Sequence, residues 1–287
     1  MSGEGRYVPA THHTPLTTHE VTTMLRPLIT LTTDFGPGSP YVAQMKGVIL
    51  SLYREVDLVD ISHAIGPQNV REGAVVLADT TPHFPPGTIH AAVVDPGVGT
   101  GRRLLYAELG QQRYLAPDNG LLSLLAIREQ PQRMQALECN KYWLPRTSQT
   151  FHGRDILAPV AAQLALGVDP DELGPPLSSL HMLDWPQPQW SQRGVIGEVL
   201  YVDSFGNVIT NLLRDDVAAA GNAARLIVSC AGRTIRGLVP IYAAAAPQEL
   251  VALFDSQGRL ELAIVQGNAA HELAVTPGAP VTVERGT

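Results

Sequence analysis

From Leu28 onward, apolar residues come in short unbroken runs that alternate with stretches where they recur every three or four positions. The first pattern predicts strands buried on both faces, and the second predicts amphipathic helices. Residues 28–32 (LITLT), 56–61 and 89–94 (IHAAVV) read as strands, with shorter ones at 104–109 and 114–116. Between the first two, 41–52 carries Val42, Met45, Ile49 and Leu52 at helical spacing. A second helix is predicted over 69–77, where Asn69 is a candidate N-cap and Glu72 stands three residues on, close to a capping box. A short helix over 121–127 and a longer one over 151–166, starting near Gly153, complete this half. The alternation predicts an α/β fold, with a mainly parallel sheet covered by helices on both faces. Ligand-binding groups in such sheets gather at the carboxyl ends of strands.

The pattern changes after residue 182. Residues 183–194 (LDWPQPQWSQRG) hold two prolines and two tryptophans and read as a linker. Beyond it the helical period fades. Short β-prone runs at 195–202, 208–212, 225–228, 234–238, 250–254, 260–264 and 281–283 are separated by Gly, Asn and Asp, which predicts a small barrel or sandwich. Residues 1–26 are polar and without apolar periodicity. The expected organisation is an N-terminal arm (1–26), an α/β domain (27–182), the linker, and a smaller β domain (195–287).

Composition narrows the function classes. Hydrophobic residues make up 45% of the 287 and charged residues 16%, the balance of a soluble globular protein. No run approaches the roughly 20 apolar residues of a membrane helix, and the first residues carry no apolar signal-peptide core. A cytoplasmic location without a membrane partner is expected. The net charge is −7 and no Lys/Arg run occurs, the only lysines being Lys46 and Lys141, so no nucleic-acid partner is expected. Cys139 and Cys230 stand far apart, and the nine histidines show no metal-ligand spacing, so no metal site is expected.

Candidate chemistry sits at turns. Asp34 closes the first predicted strand and is followed by Gly36 and Gly38, so its carboxylate can approach a ligand closely and accept from vicinal hydroxyls such as those of ribose. It fits equally well as the cap of a turn. Residues 95–103 (DPGVGTGRR) open with Asp95, carry three glycines at alternating positions and end on Arg102 and Arg103. Such a loop exposes backbone amides to a ligand, or is merely tight with a surface ion pair. Residues 150–155 (TFHGRD) bring His152 to a predicted helix start. In the second half, Asp203, Phe205 and Asn207 surround a glycine, and Ser256-Gln257-Gly258 and Gly267-Asn268-Ala269-Ala270 form further polar turns. Each of these is also an ordinary hairpin turn.

Taken in order, these segments resemble the S-adenosyl-L-methionine (SAM) hydrolases, also called SAM hydroxide adenosyltransferases, whose sisters are the SAM-dependent fluorinase and chlorinase. The resemblance runs from Leu28 to Val283 through TDFG (33–36), YVAQMKG (41–47), DISH (60–63), DPGVG (95–99), PDNG (117–120), TFHGRD (150–155), DSFGNVITN (203–211) and GNAA (267–270). It implies an N-terminal α/β domain, a C-terminal β-barrel, and a homotrimer with SAM held between neighbouring subunits. It also implies that Asp34 holds the ribose, that Asp203, Asn207 and Ser256 bind the methionine end with Phe205 nearby, and that the backbone around Asn268 and Ala270 recognises adenine. Asp95, Arg102 and His152 match the hydrolase's catalytic residues; the halogenases carry tyrosine at the positions of Asp95 and His152. Gln68 and Gln257 depart from the halogenases, which have a tryptophan at the first position and, in the fluorinase, an arginine at the second.

The implied reaction is displacement at C5′ by water, giving adenosine and L-methionine. SAM is then the substrate and no cofactor is implied. Residue types leave open which group takes the water's proton, although an imidazole is the ordinary acceptor near neutral pH. A SAM-dependent halide transferase and a SAM- or adenosine-binding sensor without turnover are the competing readings.

Overall fold

The computed structural model describes residues 26–286. The expected arm lies, but for Arg26, outside the described residues.

The first half builds a six-stranded sheet. Strand β1 (Leu28–Thr33) is buried almost throughout, as a strand covered on both faces must be. Helix α1 (Pro40–Leu52) starts behind Ser39, whose hydroxyl accepts from Tyr41 N, and with Pro40 in the first turn. It buries Val42, Met45 and Ile49. Leu52, expected on the same face, closes the helix and is 41% exposed. Next come β2 (Asp57–Ser62) and α2 (Val70–Thr80). Asn69 Oδ1 caps Glu72 N at 3.2 Å, and the Glu72 carboxylate returns to Asn69 Nδ2 and Gly66 N rather than to the cap's own amide. Strands β3 (Ile89–Val93), β4 (Leu104–Leu109) and β5 (Gln112–Pro117) follow, then α3 (Ser123–Arg128) and the short, unexpected β6 (Arg133–Ala136).

The helix predicted over 151–166 divides in two. A π-helical turn, Gly153–Leu157, leads into α4 (Ala158–Ala165). Pro159 is the cause. It has no N–H for the Asp155 carbonyl and its ring crowds that oxygen. The carbonyl accepts instead from Leu144 N at 2.9 Å.

The strand order is β2-β1-β3-β5-β4-β6. The pairings among β2, β1, β3 and β5 are parallel, while β4 runs antiparallel to both its neighbours. Residues of β3 alternate between two cores. Ile89, Ala91 and Val93 join α1 and α4 on one face, and Ala92, with Val94 just beyond the strand, joins α2 and α3 on the other.

The second half is antiparallel. Strands β7 (Gln189–Trp190), β8 (Gly194–Val202), β9 (Val208–Leu213), β10 (Leu226–Cys230), β11 (Arg233–Arg236), β12 (Leu250–Phe254), β13 (Arg259–Ile264) and β14 (Pro280–Arg285) form a sheet ordered β11-β10-β14-β8-β9-β13-β12, with β7 on β8. Val239 N, beyond β11, donates to Ala252 O of β12 at 2.9 Å, so the sheet nearly closes into a barrel. Two short helices interrupt it where none was expected, α5 (Arg214–Ala220) and α6 (Ala269–Leu273). In the expected linker, Trp185 packs on the α2/α3 core and β7 extends the second sheet. No helix among the described residues is long and apolar enough to cross a membrane.

Candidate active site

Asp34 follows β1 directly, Asp95 stands two residues beyond β3, and Asp118 follows β5. These three strands are mutually parallel through β3, so the carboxylates gather at one sheet edge, as the topology requires.

Asp95 and Arg102 face each other across the glycine-rich loop. Arg102 Nε lies 3.0 and 2.9 Å from the two Asp95 oxygens, and its Nη2 lies 2.5 Å from Oδ2. The pair is largely withdrawn from solvent, with side chains 10% and 5% exposed. The loop closes by Val98 N donating to Asp95 O and Thr100 N to Gly97 O. Gly99 has φ +78°, and a Cβ there would sit 2.5 Å from Gln149 O. Glycine is what lets this loop lie against the segment leading to His152.

His152 completes the cluster, its Nδ1 lying 2.9 Å from Arg102 Nη2. A guanidinium only donates, so Nδ1 accepts and a neutral ring carries its proton on Nε2. Burial, helped by the Arg102 charge, holds the His152 pKa below the ordinary histidine value. Arg103 is committed elsewhere, to Asp118 at 2.5 Å. Asp155 is fully buried and accepts from Arg154 Nε at 2.6 Å and from Ser148 N.

Asp34 Oδ2 accepts from Gln68 N at 2.7 Å, and Gln68 holds a positive φ of 63° to make that contact. A network that the residue pattern did not single out fixes the turn after β1. His63 bonds Thr33 Oγ1 through Nδ1 at 2.9 Å, its carbonyl accepts from Gly36 N, and its Nε2 lies 3.1 Å from Asp60, which Lys46 also binds at 2.6 Å. Phe35, Tyr41 and Phe151 pack edge to face with centroids 5.1–5.6 Å apart. This aromatic triangle joins the neighbour of Asp34 to the neighbour of His152.

The second-half candidates form another group. Asp203 Oδ1 accepts from Phe205 N and Asn207 N, and Oδ2 accepts from Asn207 Nδ2 at 3.0 Å. Gly206 O accepts from Ala270 N at 2.9 Å, and Asn268 caps α6 through His271 N. Asp203, Phe205, Asn207 and Ser256 line a cleft of about 550 Å³. Phe205 is 76% exposed, the most of any large hydrophobic residue described. Glu261 also lines this cleft and accepts from the Tyr242 hydroxyl at 2.6 Å; burial pushes its carboxyl up. Arg102 and His152 line a different pocket, of about 240 Å³. No hydrogen bond or ion pair among the described residues joins the two groups.

A half-buried cluster in which Arg102 bonds both Asp95 and His152, at the carboxyl edge of an α/β sheet coupled to an antiparallel barrel, is the arrangement of an enzyme. The N-terminal domain model of the SAM hydroxide adenosyltransferases matches residues 29–174, and the C-terminal domain model matches 197–282. The chain belongs to that family. It is 40% identical over 272 residues to a protein of Thermus thermophilus named (R)-S-adenosyl-L-methionine hydrolase, covering 90% of this chain and 99% of the relative. A Salinispora tropica protein of the same name is 39% identical, with 91% and 98% covered. A protein of an Actinoplanes species named fluorinase is 30% identical, with 90% and 98% covered. Among solved structures, an uncharacterized conserved protein from Thermotoga maritima superposes with a TM-score of 0.84 at 34% identity, over 90% of this chain and all of that one.

Proposed function

We propose that this chain hydrolyses S-adenosyl-L-methionine at C5′, releasing adenosine, L-methionine and a proton. The observation that carries the reading is the half-buried Asp95–Arg102–His152 cluster, with Arg102 bonded to both partners. The names of the relatives support it, and they specify the R configuration at sulfur, which we take as the configuration used here.

The sulfonium leaves as a neutral thioether, so the leaving group needs no acid and the displacement needs no cofactor. What the site must supply is a water aligned behind C5′ and shelter from bulk solvent. Asp95 Oδ1 accepts only from Arg102 Nε and keeps a lone pair, whereas Oδ2 takes both Nε and Nη2; Asp95 takes the water's proton through Oδ1 as the C–O bond forms. Arg102 stabilises the developing hydroxide. His152, neutral and protonated on Nε2, orients the water as a donor. This differs from the general expectation for an imidazole, because Arg102 occupies the one nitrogen that could accept.

In this reading Asp34 accepts from the ribose hydroxyls through the oxygen that Gln68 leaves free. Asp203, Asn207 and Ser256 hold the methionine end, Phe205 packs beside it, and the backbone around Asn268 and Ala270 reads adenine. The two groups line separate pockets of one subunit. That separation is consistent with the homotrimer the resemblance implies, and we assign them to one in which the α/β domain (27–182) of one subunit faces the barrel domain (195–287) of its neighbour. The enzyme is taken as cytoplasmic. Incubation with SAM, with and without chloride, and separation of nucleosides by chromatography tests the reading. Adenosine in both supports it; a 5′-chlorinated nucleoside, or binding without product, refutes it.

A further inference from the structure

The turn that carries Ser256 is tied to the helices of the first sheet by a buried ion pair. Arg259, at the start of β13, is 4% exposed. Its guanidinium meets Asp79 of α2 with both nitrogens, Nη1 to Oδ2 at 2.5 Å and Nη2 to Oδ1 at 2.9 Å. Asp79 also accepts from Arg128 Nη2 at 3.0 Å, and Arg128 Nη1 reaches the Ala78 carbonyl at 2.5 Å. On the other side, Asp255 Oδ1 accepts from Gln257 N and Arg259 N, both at 2.8 Å, and Asp255 N donates to Arg259 O at 2.9 Å. The turn around Ser256 is thus closed upon itself, and its only charged anchor to α2 among the described residues is the Asp79–Arg259 fork. Asp79, Asp255 and Ser256 line the same cleft as Asp203 and Asn207.

A buried pair of this kind does not by itself stabilise a fold, since well-packed apolar side chains serve as well. What the two-pronged fork adds is a fixed geometry, which neither an apolar contact nor a lysine reproduces. We propose that Asp79 and Arg259 are positioning residues for substrate: their fork holds the Asp255–Arg259 turn, and with it Ser256, where the methionine end of SAM is gripped. The inference rests on the hydrolase reading above and names residues that the reading does not use. Neither residue is assigned to the reacting carbon or its water, so the effect falls on affinity and leaves the chemical step alone.

The test compares wild type, Asp79→Asn and Arg259→Lys. Steady-state kinetics give kcat and KM for SAM, and calorimetry gives the affinities for methionine and adenosine separately. We expect Asp79→Asn to raise KM about tenfold, the loss of roughly one anchoring hydrogen bond, with methionine affinity falling in parallel. Adenosine affinity and kcat stay unchanged. Arg259→Lys keeps the charge without the fork and shows the same pattern more weakly. A merely structural role lowers thermal stability but leaves the ratio of methionine to adenosine affinity in the folded protein unaltered, and that result overturns the inference. If Asp79→Asn fails to fold, Arg259→Lys decides by the same ratio. A wild type that makes no adenosine removes the hydrolase reading itself; a wild type that turns over beside variants of unchanged KM removes only this inference.

Discussion

Arg102 Nη2 stands 2.9 Å from His152 Nδ1 while the same nitrogen lies 2.5 Å from Asp95 Oδ2. One guanidinium therefore fixes both the orientation of a carboxylate and the tautomer of an imidazole. Replacing Asp95 by Asn keeps the shape and removes the charge that grips Arg102. Turnover is expected to fall by about 10²–10³, with SAM affinity nearly unchanged. Kinetics paired with calorimetry check this, and an equal loss of affinity and turnover would contradict the assignment.

The acid side of the pH–rate profile should follow His152. Its pKa is lowered by burial and by Arg102, so the neutral ring persists below the ordinary histidine range. Once protonated, Nδ1 can no longer accept from Arg102 and the cluster comes apart. Activity is expected to hold as pH falls through about 6.5 and to drop only below it. A limb at or above that value would argue against His152 as the group titrating.

Stability has its own pH dependence, centred on His90. This residue is fully buried between β1 and β5, bonded through Nδ1 to Thr30 Oγ1 at 2.7 Å and stacked on Tyr114. Burial lowers its pKa to about 4. Between pH 6.5 and 4 the unfolded chain binds a proton at His90 that the folded chain refuses, so stability falls as pH drops through this window. The loss is roughly 3 kcal/mol at its lower end. Urea titrations at several pH values should show this slope, and His90→Gln should flatten it.

Gly99→Ala tests the loop that presents Asp95 and Arg102. The left-handed backbone alone costs about 1–2 kcal/mol for a residue with a Cβ, and the new atom would press on Gln149 O. Loss of both activity and thermal stability is expected. Gly101→Ala, with open space around it and no positive φ, should leave the fold intact. Equal stability in the two variants would show that the loop does not depend on its contact with the Gln149 segment.

Much of this architecture is written locally. Asn69 and Glu72 announce α2, and the unbroken runs at β1 and β3 announce strands covered on both faces. The π-helical turn was also legible in principle, because Pro159 cannot serve the Asp155 carbonyl. Strand β6 was not, since the alternation of Arg133–Ala136 (RMQA) runs over only four residues, too short to announce a strand, which forms by pairing with β4. Helices α5 and α6 are short, seven and five residues, and their caps, Asp216 on Leu213 N and Asn268 on His271 N, look like ordinary polar turns in sequence. At the site, Asp34 and Asp95 follow from topology. The meeting of Arg102 with His152 spans fifty residues and entered only through the resemblance to a family. The Asp79–Arg259 pair spans 180 residues. In sequence Asp79 is one more acid on a helix, and nothing local tells it from a solvated one.

The most direct test of the central claim is the source of the 5′-oxygen. Purified protein is turned over with SAM in ¹⁸O-labelled water and the adenosine is weighed by mass spectrometry, beside an Asp95→Asn control. The account predicts adenosine carrying one ¹⁸O at the 5′ position from wild type and a strongly reduced yield from the control. Unlabelled adenosine, or undiminished labelled product from Asp95→Asn, would contradict it.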